Sequence, residues 1–160
     1  MRSRALLLVA ALAGCGEGTM VDVDKNDVVG YDDWKRVDVW GDVGGHGDSY
    51  RIIYANNVAE QRISAGDGRW PPGSVIVKEI HDRDGDEPGD LRYIGVMRQL
   101  TDGETPDGAE LHRTLSSADT GWLFTYLGGD IDSDEEYRES CWSECHVAAP
   151  YSGAFLDYSE

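Results

Sequence analysis

Basic residues are scarce in this chain of 160 residues, which has 14 Lys and Arg against 31 Asp and Glu and a formal net charge of −17. Phosphate binding needs clustered cationic side chains, so this deficit excludes nucleic acid as a partner. The same deficit disfavours electrostatic docking on an anionic membrane surface. It is compatible with high solubility and with a basic redox-partner protein.

A hydrophobic run long enough to span a membrane is also missing. The apolar run at 5–12 follows Arg2 and Arg4 and is followed by Ala-Gly and then Cys15, a pattern that predicts a cleaved export signal over residues 1–14. Its end resembles the bacterial lipobox, in which the cysteine is diacylated, although an ordinary signal peptide with an incidental cysteine is the alternative. We therefore predict a lipid anchor on Cys15 and a location in the cell envelope, facing the periplasm or the exterior. Residues 15–30, rich in Gly and Asp, predict a tether to a folded domain over 31–160.

Twenty glycines indicate many turns rather than a helical bundle. Segments whose residues alternate between two faces, or that are rich in β-branched residues, predict strands. Segments with apolar residues about three positions apart, or with a capping residue at their start, predict short helices. The strands are predicted at 50–55, 74–80, 91–100 and 121–127, the helices at 31–40 and about 57–65 (capped by Asn56 or Asn57), and the loops at 41–49 and 82–90. The fold class is thus mainly β or α+β, a single antiparallel sheet with a few short flanking helices.

Cysteine is scarce, and only Cys141 and Cys145 remain if Cys15 carries lipid. His146 follows directly, so the motif is typical of covalent c-type haem attachment, in which two thiols bind the vinyl groups and the imidazole reaches the iron. Three residues separate the cysteines, whereas the usual spacing is two. A local disulfide is one alternative. A zinc site is another, although no fourth ligand stands out among His46, His81 and His112.

The acidic run at 130–136 lacks the Gly and Glu positions of a calcium loop, and it predicts a solvated loop.

Three segments precede the cysteine motif in a particular order: Arg-Ile-Ile-Tyr-Ala-Asn at 51–56, Pro-Gly-Ser-Val-Ile-Val-Lys-Glu at 72–79, and Gly-Trp-Leu-Phe at 121–124. Over roughly residues 31–158 the chain resembles the cytochrome P-460 family, to which the β-sheet cytochromes c′ are related. The resemblance implies an antiparallel sheet with haem c near the C-terminus. It also implies that Cys141 and Cys145 form the thioether links and that His146 is the proximal iron ligand. The family also implies a homodimer, since relatives are often dimers.

Lys78 stands where the hydroxylamine-oxidising relatives have a lysine bonded to the porphyrin, and Arg51 matches a pocket arginine of the family. The residues themselves make Lys78 unusual, because it alternates with Ile76 and Ile80 on an apolar row. Burial there disfavours the ammonium form and leaves a nucleophilic amine. Alternatively, the side chain extends to the sheet edge or pairs with an acidic neighbour.

Met97 occupies the position where the catalytic relatives supply a distal carboxylate as proton acceptor. Oxidation of hydroxylamine removes protons from its nitrogen, and a thioether cannot accept them. Met97 is therefore interpreted as a distal wall, as a sixth iron ligand, or as a core residue.

The leading hypothesis is a lipid-anchored mono-haem c-type cytochrome that binds small ligands such as nitric oxide or transfers single electrons. The first alternative is an enzyme that oxidises hydroxylamine at a haem cross-linked to Lys78. The second is a non-haem envelope protein with a disulfide.

Overall fold

The computed structural model describes residues 19–20, 25–43, 46–65, 70–100, 121–137, 141–149 and 153–154. Within these residues, seven strands form one antiparallel sheet in the order β1-β7-β6-β5-β4-β3-β2, which confirms the predicted mainly β fold. The elements are β1 (Thr19–Met20), β2 (Lys35–Val43), β3 (Gly47–Ala55), α1 (Asn57–Ala65), β4 (Val75–Asp84), β5 (Glu87–Gln99), β6 (Trp122–Leu127) and β7 (Glu136–Tyr137). No helix in this part of the chain is long and apolar enough to cross a membrane. The predicted signal peptide and Cys15 lie outside the described residues.

The central strands β3 to β6 carry apolar side chains on both faces of the sheet, because successive residues of a strand point to opposite sides. One face, here called the cavity face, contains Ile53, Ala55, Ile76, Met97, Trp122 and Phe124. The other, the rear face, contains Tyr50, Ile52, Tyr54, Val75, Val77, Ile94, Val96 and Leu127. The predicted alternation of β6 is confirmed, since Trp122 and Phe124 lie on the cavity face and Leu127 on the rear face. The strand register places Lys78 beside Gly95, and Gly95 beside Tyr126, in one row across the cavity face.

The predicted helix at 31–40 is wrong. Only Tyr31–Asp33 forms a turn of 3-10 helix, and β2 begins at Lys35. Among the described residues, β2 pairs with β3 alone and is the edge strand of the sheet. An edge strand is more exposed than a central strand, so its apolar residues give a weaker strand pattern. Val37 and Val39 are half-buried, whereas Trp40 is 55% exposed.

The predicted loops are shorter than expected. β2 continues to Val43 and β3 begins at Gly47, so both strands reach into the predicted loop at 41–49. β4 continues to Asp84 and β5 begins at Glu87, so a tight turn replaces most of the predicted loop at 82–90. The predicted helix α1 is confirmed together with its cap, because Oδ1 of Asn56 accepts a hydrogen bond from the backbone N–H of Ala59 at 2.9 Å.

Part of the predicted tether belongs to the folded domain. β1 pairs with β7, and Val28 is 1% exposed. Nζ of Lys25 donates to the carbonyl of Ser133 at 2.6 Å. The domain therefore includes residues upstream of position 31. The acidic run at 130–136 likewise contributes to the core, because the side chain of Glu135 is fully buried.

Candidate functional site

A cavity of about 390 Å³ lies on the cavity face of the sheet. Its floor is formed by side chains of β4, β5 and β6, and its walls come from the turn after β2 and from the C-terminal segment. The residues that line it include His46, Lys78, Tyr93, Gly95, Met97, Phe124, Tyr126, Cys141, Glu144, Cys145 and His146. The cavity therefore joins the conspicuous C-terminal motif to the middle of the sheet.

The C-terminal motif folds as two consecutive short turns. Cys141–Cys145 form one π-helical turn, and His146–Ala148 form a 3-10 turn. These turns bring both thiols and the imidazole to the same cavity. Cys141 and Cys145 are both described, and no disulfide joins them. The local disulfide considered as an alternative is therefore not present between these two residues.

His146 is buried, and its ring packs against Phe124 with a centroid distance of 4.7 Å. Its Nδ1 lies 2.7 Å from the carbonyl oxygen of Gly153. Because a carbonyl can only accept, Nδ1 carries the proton and Nε2 carries the lone pair. Burial, reinforced by the positive charge of Lys78, lowers the pKa of His146 to about 4. The fold thus holds a neutral imidazole in the tautomer whose Nε2 can bind a metal.

Lys78 lies in the middle of the cavity floor, on the apolar row that the sequence indicates. Its Nζ is 2.8 Å from Nε2 of His46. Burial lowers the pKa of Lys78 to about 8, with a further lowering from the charge of Arg51. The partner of Lys78 is thus an imidazole, whereas the neighbouring Glu79 accepts a hydrogen bond from Tyr31 on the rear side of the sheet.

Arg51 is buried on β3 but is not among the residues that line the cavity. Its guanidinium donates from Nη2 to the carbonyl oxygen of Gly41 at 3.2 Å. Its influence on the cavity is electrostatic, because its charge lowers the pKa of both Lys78 and His46. The structure therefore brings Lys78, Cys141, Cys145 and His146 together around the cavity, whereas Arg51 is not part of its lining.

Met97 forms part of the floor beside Phe124 and is 8% exposed. It packs in the apolar cluster of the cavity face, which is compatible with both a core residue and a cavity wall. Among the described residues that line the cavity, the carboxylate is that of Glu144, an exposed residue of the C-terminal turn. The floor therefore presents the thioether of Met97 at the position where the resemblance led us to expect a carboxylate.

His46 and Tyr93 are cavity residues that sequence reasoning did not identify. His46 follows β2 in the turn to β3, and its Nδ1 lies 2.8 Å from Oη of Tyr93. The sequence brought His46 to attention only as a zinc ligand, but the described residues contain no cluster of three His, Cys, Asp or Glu side chains able to hold a metal ion. His81 binds Glu79 and the Gly89 carbonyl instead, and His112 lies outside the described residues. The sequence signal that points to such a partner is the lysine on an apolar row, which requires a polar neighbour.

Comparison with protein-family models gives a match to Cytochrome P460 over residues 28–152. A comparison with curated proteins finds no match. The matched range contains all the residues that line the cavity, including Cys141, Cys145 and His146.

Proposed function

Because the chain belongs to the cytochrome P460 family and haem with its iron is the cofactor of that family, we propose that it is a mono-haem c-type cytochrome of the cell envelope. Cys141 and Cys145 form the thioether links, and Nε2 of His146 is the iron ligand. The protein binds small ligands such as nitric oxide or transfers single electrons, and lipid on Cys15 anchors it to a membrane.

One observation supports this proposal most strongly. The two thiols and the imidazole line the same cavity, and the hydrogen bond from Nδ1 of His146 to the Gly153 carbonyl leaves Nε2 as the metal-binding nitrogen. A disulfide or a purely structural role for the motif does not require this tautomer. The arrangement therefore favours an attachment site over a cross-link within the chain.

The floor of the cavity fits a flat apolar ring. A Cβ atom added to Gly95 meets nothing nearer than the Lys78 carbonyl oxygen at 3.9 Å, so the space above this glycine belongs to the cavity. Met97 and Phe124 supply apolar surface next to it. When bound, haem supplies an iron that takes small ligands and exchanges single electrons. The chain's own contribution is to hold the ring, orient the imidazole and exclude water from the floor.

The attachment is tested by the pyridine haemochrome spectrum and by the mass of the denatured protein after production with a c-type haem maturation system. The wild type should carry one haem mass, and Cys141→Ser or Cys145→Ser should lose at least one thioether link. Cys15→Ser is the matched control, because it should shift the protein from the membrane to the soluble fraction and leave the haem in place. An unmodified wild-type chain would reject the proposal.

A second function, oxidation of hydroxylamine, is favoured by the position of Lys78. Its amine lines the same cavity as the thiols, and its pKa of about 8 gives a larger neutral, nucleophilic fraction near neutral pH than an ordinary lysine has. A bond between Lys78 and the porphyrin should shift the absorption spectrum, and Lys78→Leu should restore an ordinary c-type spectrum. If the wild type already has the ordinary spectrum, there is no cross-link, and turnover of hydroxylamine with a redox dye then decides whether the enzyme function remains.

A further inference from the structure

Three polar side chains that line the cavity are joined by consecutive hydrogen bonds. Nζ of Lys78 lies 2.8 Å from Nε2 of His46, and Nδ1 of His46 lies 2.8 Å from Oη of Tyr93. They come from β4, from the turn between β2 and β3, and from β5, so only the folded sheet assembles them. We call this set the Lys78–His46–Tyr93 chain.

The donors and acceptors of this chain match in both directions. In one arrangement the Lys78 amine donates to Nε2 of His46, and Nδ1–H donates to Tyr93. In the other, the Tyr93 hydroxyl donates to Nδ1, and Nε2–H donates to the lone pair of the Lys78 nitrogen. Moving one proton along each bond interconverts the two, provided that the Lys78 nitrogen gains a proton at one end and the Tyr93 hydroxyl releases one at the other.

The protonation states of the residues in the Lys78–His46–Tyr93 chain support such a proton transfer. Burial, together with the positive charge of Lys78, lowers the pKa of His46 to about 3, which keeps the imidazole neutral. Burial also raises the pKa of Tyr93, which keeps the phenol protonated. A neutral imidazole and a neutral phenol each have one proton to donate and one site to accept, which a proton path requires.

We propose that Lys78, His46 and Tyr93 form the proton path of the cavity, through which a small substrate with N–H and O–H bonds, such as hydroxylamine, loses a proton to solvent. The inference rests on the second proposed function and supplies the proton acceptor that Met97 cannot be. Lys78 is the catalytic residue that takes the proton, and His46 and Tyr93 are positioning residues that carry it onward.

The transfer balances over three groups. The Lys78 nitrogen takes one substrate proton and passes one N–H proton to Nε2 of His46. His46 releases its Nδ1 proton to Tyr93, and Tyr93 releases its hydroxyl proton to water. The Lys78 nitrogen needs one N–H bond and one lone pair, which both a primary and a secondary amine have. The path carries protons only; a haem held by Cys141, Cys145 and His146 would pass the electrons of the oxidation to a one-electron acceptor.

The other cavity groups are less suited to this role. Nδ1 of His146 is committed to the Gly153 carbonyl. Glu144 is exposed and belongs to the turn that holds the two cysteines. Tyr93, in contrast, is half-buried, so the residue keeps some exposure to solvent.

The test uses full-length, haem-loaded protein with hydroxylamine as substrate and a redox dye as electron acceptor. His46→Gln and Tyr93→Phe should each lower kcat by about 100-fold, the low end of what general acid–base catalysis contributes, with KM unchanged. The solvent isotope effect on kcat should change as well. His46→Gln should also shift the C–O stretching frequency of the ferrous carbonyl adduct, because the Lys78 amine loses its acceptor.

Two control variants remove similar groups on the rear side of the sheet. Tyr31→Phe deletes a hydroxyl that donates to Glu79, and His81→Gln deletes an imidazole bound to the same carboxylate. Neither should change kcat or the C–O stretch. Unchanged kcat and isotope effect in Tyr93→Phe and His46→Gln would overturn the path. A haem-loaded wild type that does not oxidise hydroxylamine would overturn the path and the enzyme function but not haem binding, which the haemochrome spectrum reports separately.

Discussion

Arg98 and Lys78 are cationic side chains of the central strands, one on each face of the sheet, and their surroundings differ. Arg98 on the rear side of β5 donates to Asp27 at 2.6 Å, to Glu135 at 2.8 Å and to Thr125 at 2.9 Å. Lys78 on the cavity face has an imidazole as its hydrogen-bond partner, at 2.8 Å. The same sheet thus buries one cation against two carboxylates and another beside an open cavity.

The difference separates a structural charge from a functional one. The two carboxylates raise the pKa of Arg98 despite its burial and keep it charged, whereas burial lowers the pKa of Lys78. A buried cation with complete counter-charges joins distant parts of a chain, here the N-terminal segment and the segment before β7. A buried amine next to a neutral partner in a cavity retains its reactivity, and such perturbed groups concentrate at functional sites.

The largest effect is expected from Arg98→Leu. The substitution leaves Glu135, whose side chain is fully buried, without its cationic partner. Removing one member of a buried pair costs about 3–5 kcal/mol, which urea denaturation should detect as a lower free energy of unfolding. Arg36→Leu is the control, because Arg36 pairs with Asp38 at the surface and should cost less than about 1 kcal/mol. Equal costs for the two variants would contradict the structural role of Arg98.

The second prediction concerns the pH dependence that Lys78 adds to stability. Its pKa in the folded protein is about 8, below its ordinary value of 10.5, so the folded state binds fewer protons between these values than the unfolded state. The free energy of unfolding should therefore rise with pH across this interval, by about 3 kcal/mol at about 1.4 kcal/mol per pH unit. Lys78→Met should lack this rise.

Urea denaturation of both proteins over the interval isolates the contribution of Lys78, because the other groups titrate in both. Below pH 8 the variant should be the more stable protein, in contrast to Arg98→Leu at any pH. Parallel pH profiles for wild type and variant would show that the amine of Lys78 is not desolvated as its position in the cavity floor indicates.

The third prediction compares neighbouring residues on the two faces. Met97→Ala should cost about 2 kcal/mol, the lower end for a buried methionine, because this residue borders an existing cavity. As a packing residue, Met97 should leave the ferrous haem spectrum unchanged when it is replaced. A change from six-coordinate to five-coordinate iron would instead identify it as the sixth ligand. Val77→Ala, on the rear face of the adjacent strand β4, is the control that lowers stability without touching the cavity.

The strands and the helix start that depend on residues close in sequence could be predicted from the sequence. Alternation identified β3 to β6, and the capping role of Asn56 identified the start of α1, because each rests on residues close in sequence. The apolar spacing that predicted a helix at 31–40 was misleading, since a short 3-10 turn runs directly into an edge strand. The cysteine motif was visible for the same reason that the central strands were, as its residues are contiguous.

Contacts between distant residues account for the missed features. His46 reaches Lys78 across 32 positions, and Arg98 reaches Asp27 across 71. No periodicity encodes such pairs. A partial signal existed, because Arg98 alternates with Ile94 and Val96 on an apolar row and must therefore meet a counter-charge in the core. The identity of that partner required the folded sheet.

The smallest effect on stability is expected at Gly95, in the middle of the cavity floor. Its backbone is not in the left-handed region, so alanine fits the strand, and losing a glycine from a strand interior should stabilise the protein by up to about 1 kcal/mol. The added Cβ, however, projects into the cavity rather than into protein atoms. Gly95→Ala and Gly95→Val should therefore keep or raise the free energy of unfolding while lowering the fraction of chains with covalent haem, more so for valine. Because stability and haem loading change in opposite directions, a misfolded variant cannot mimic the result. Full haem loading in Gly95→Val would show that the ring does not lie on this row of the sheet.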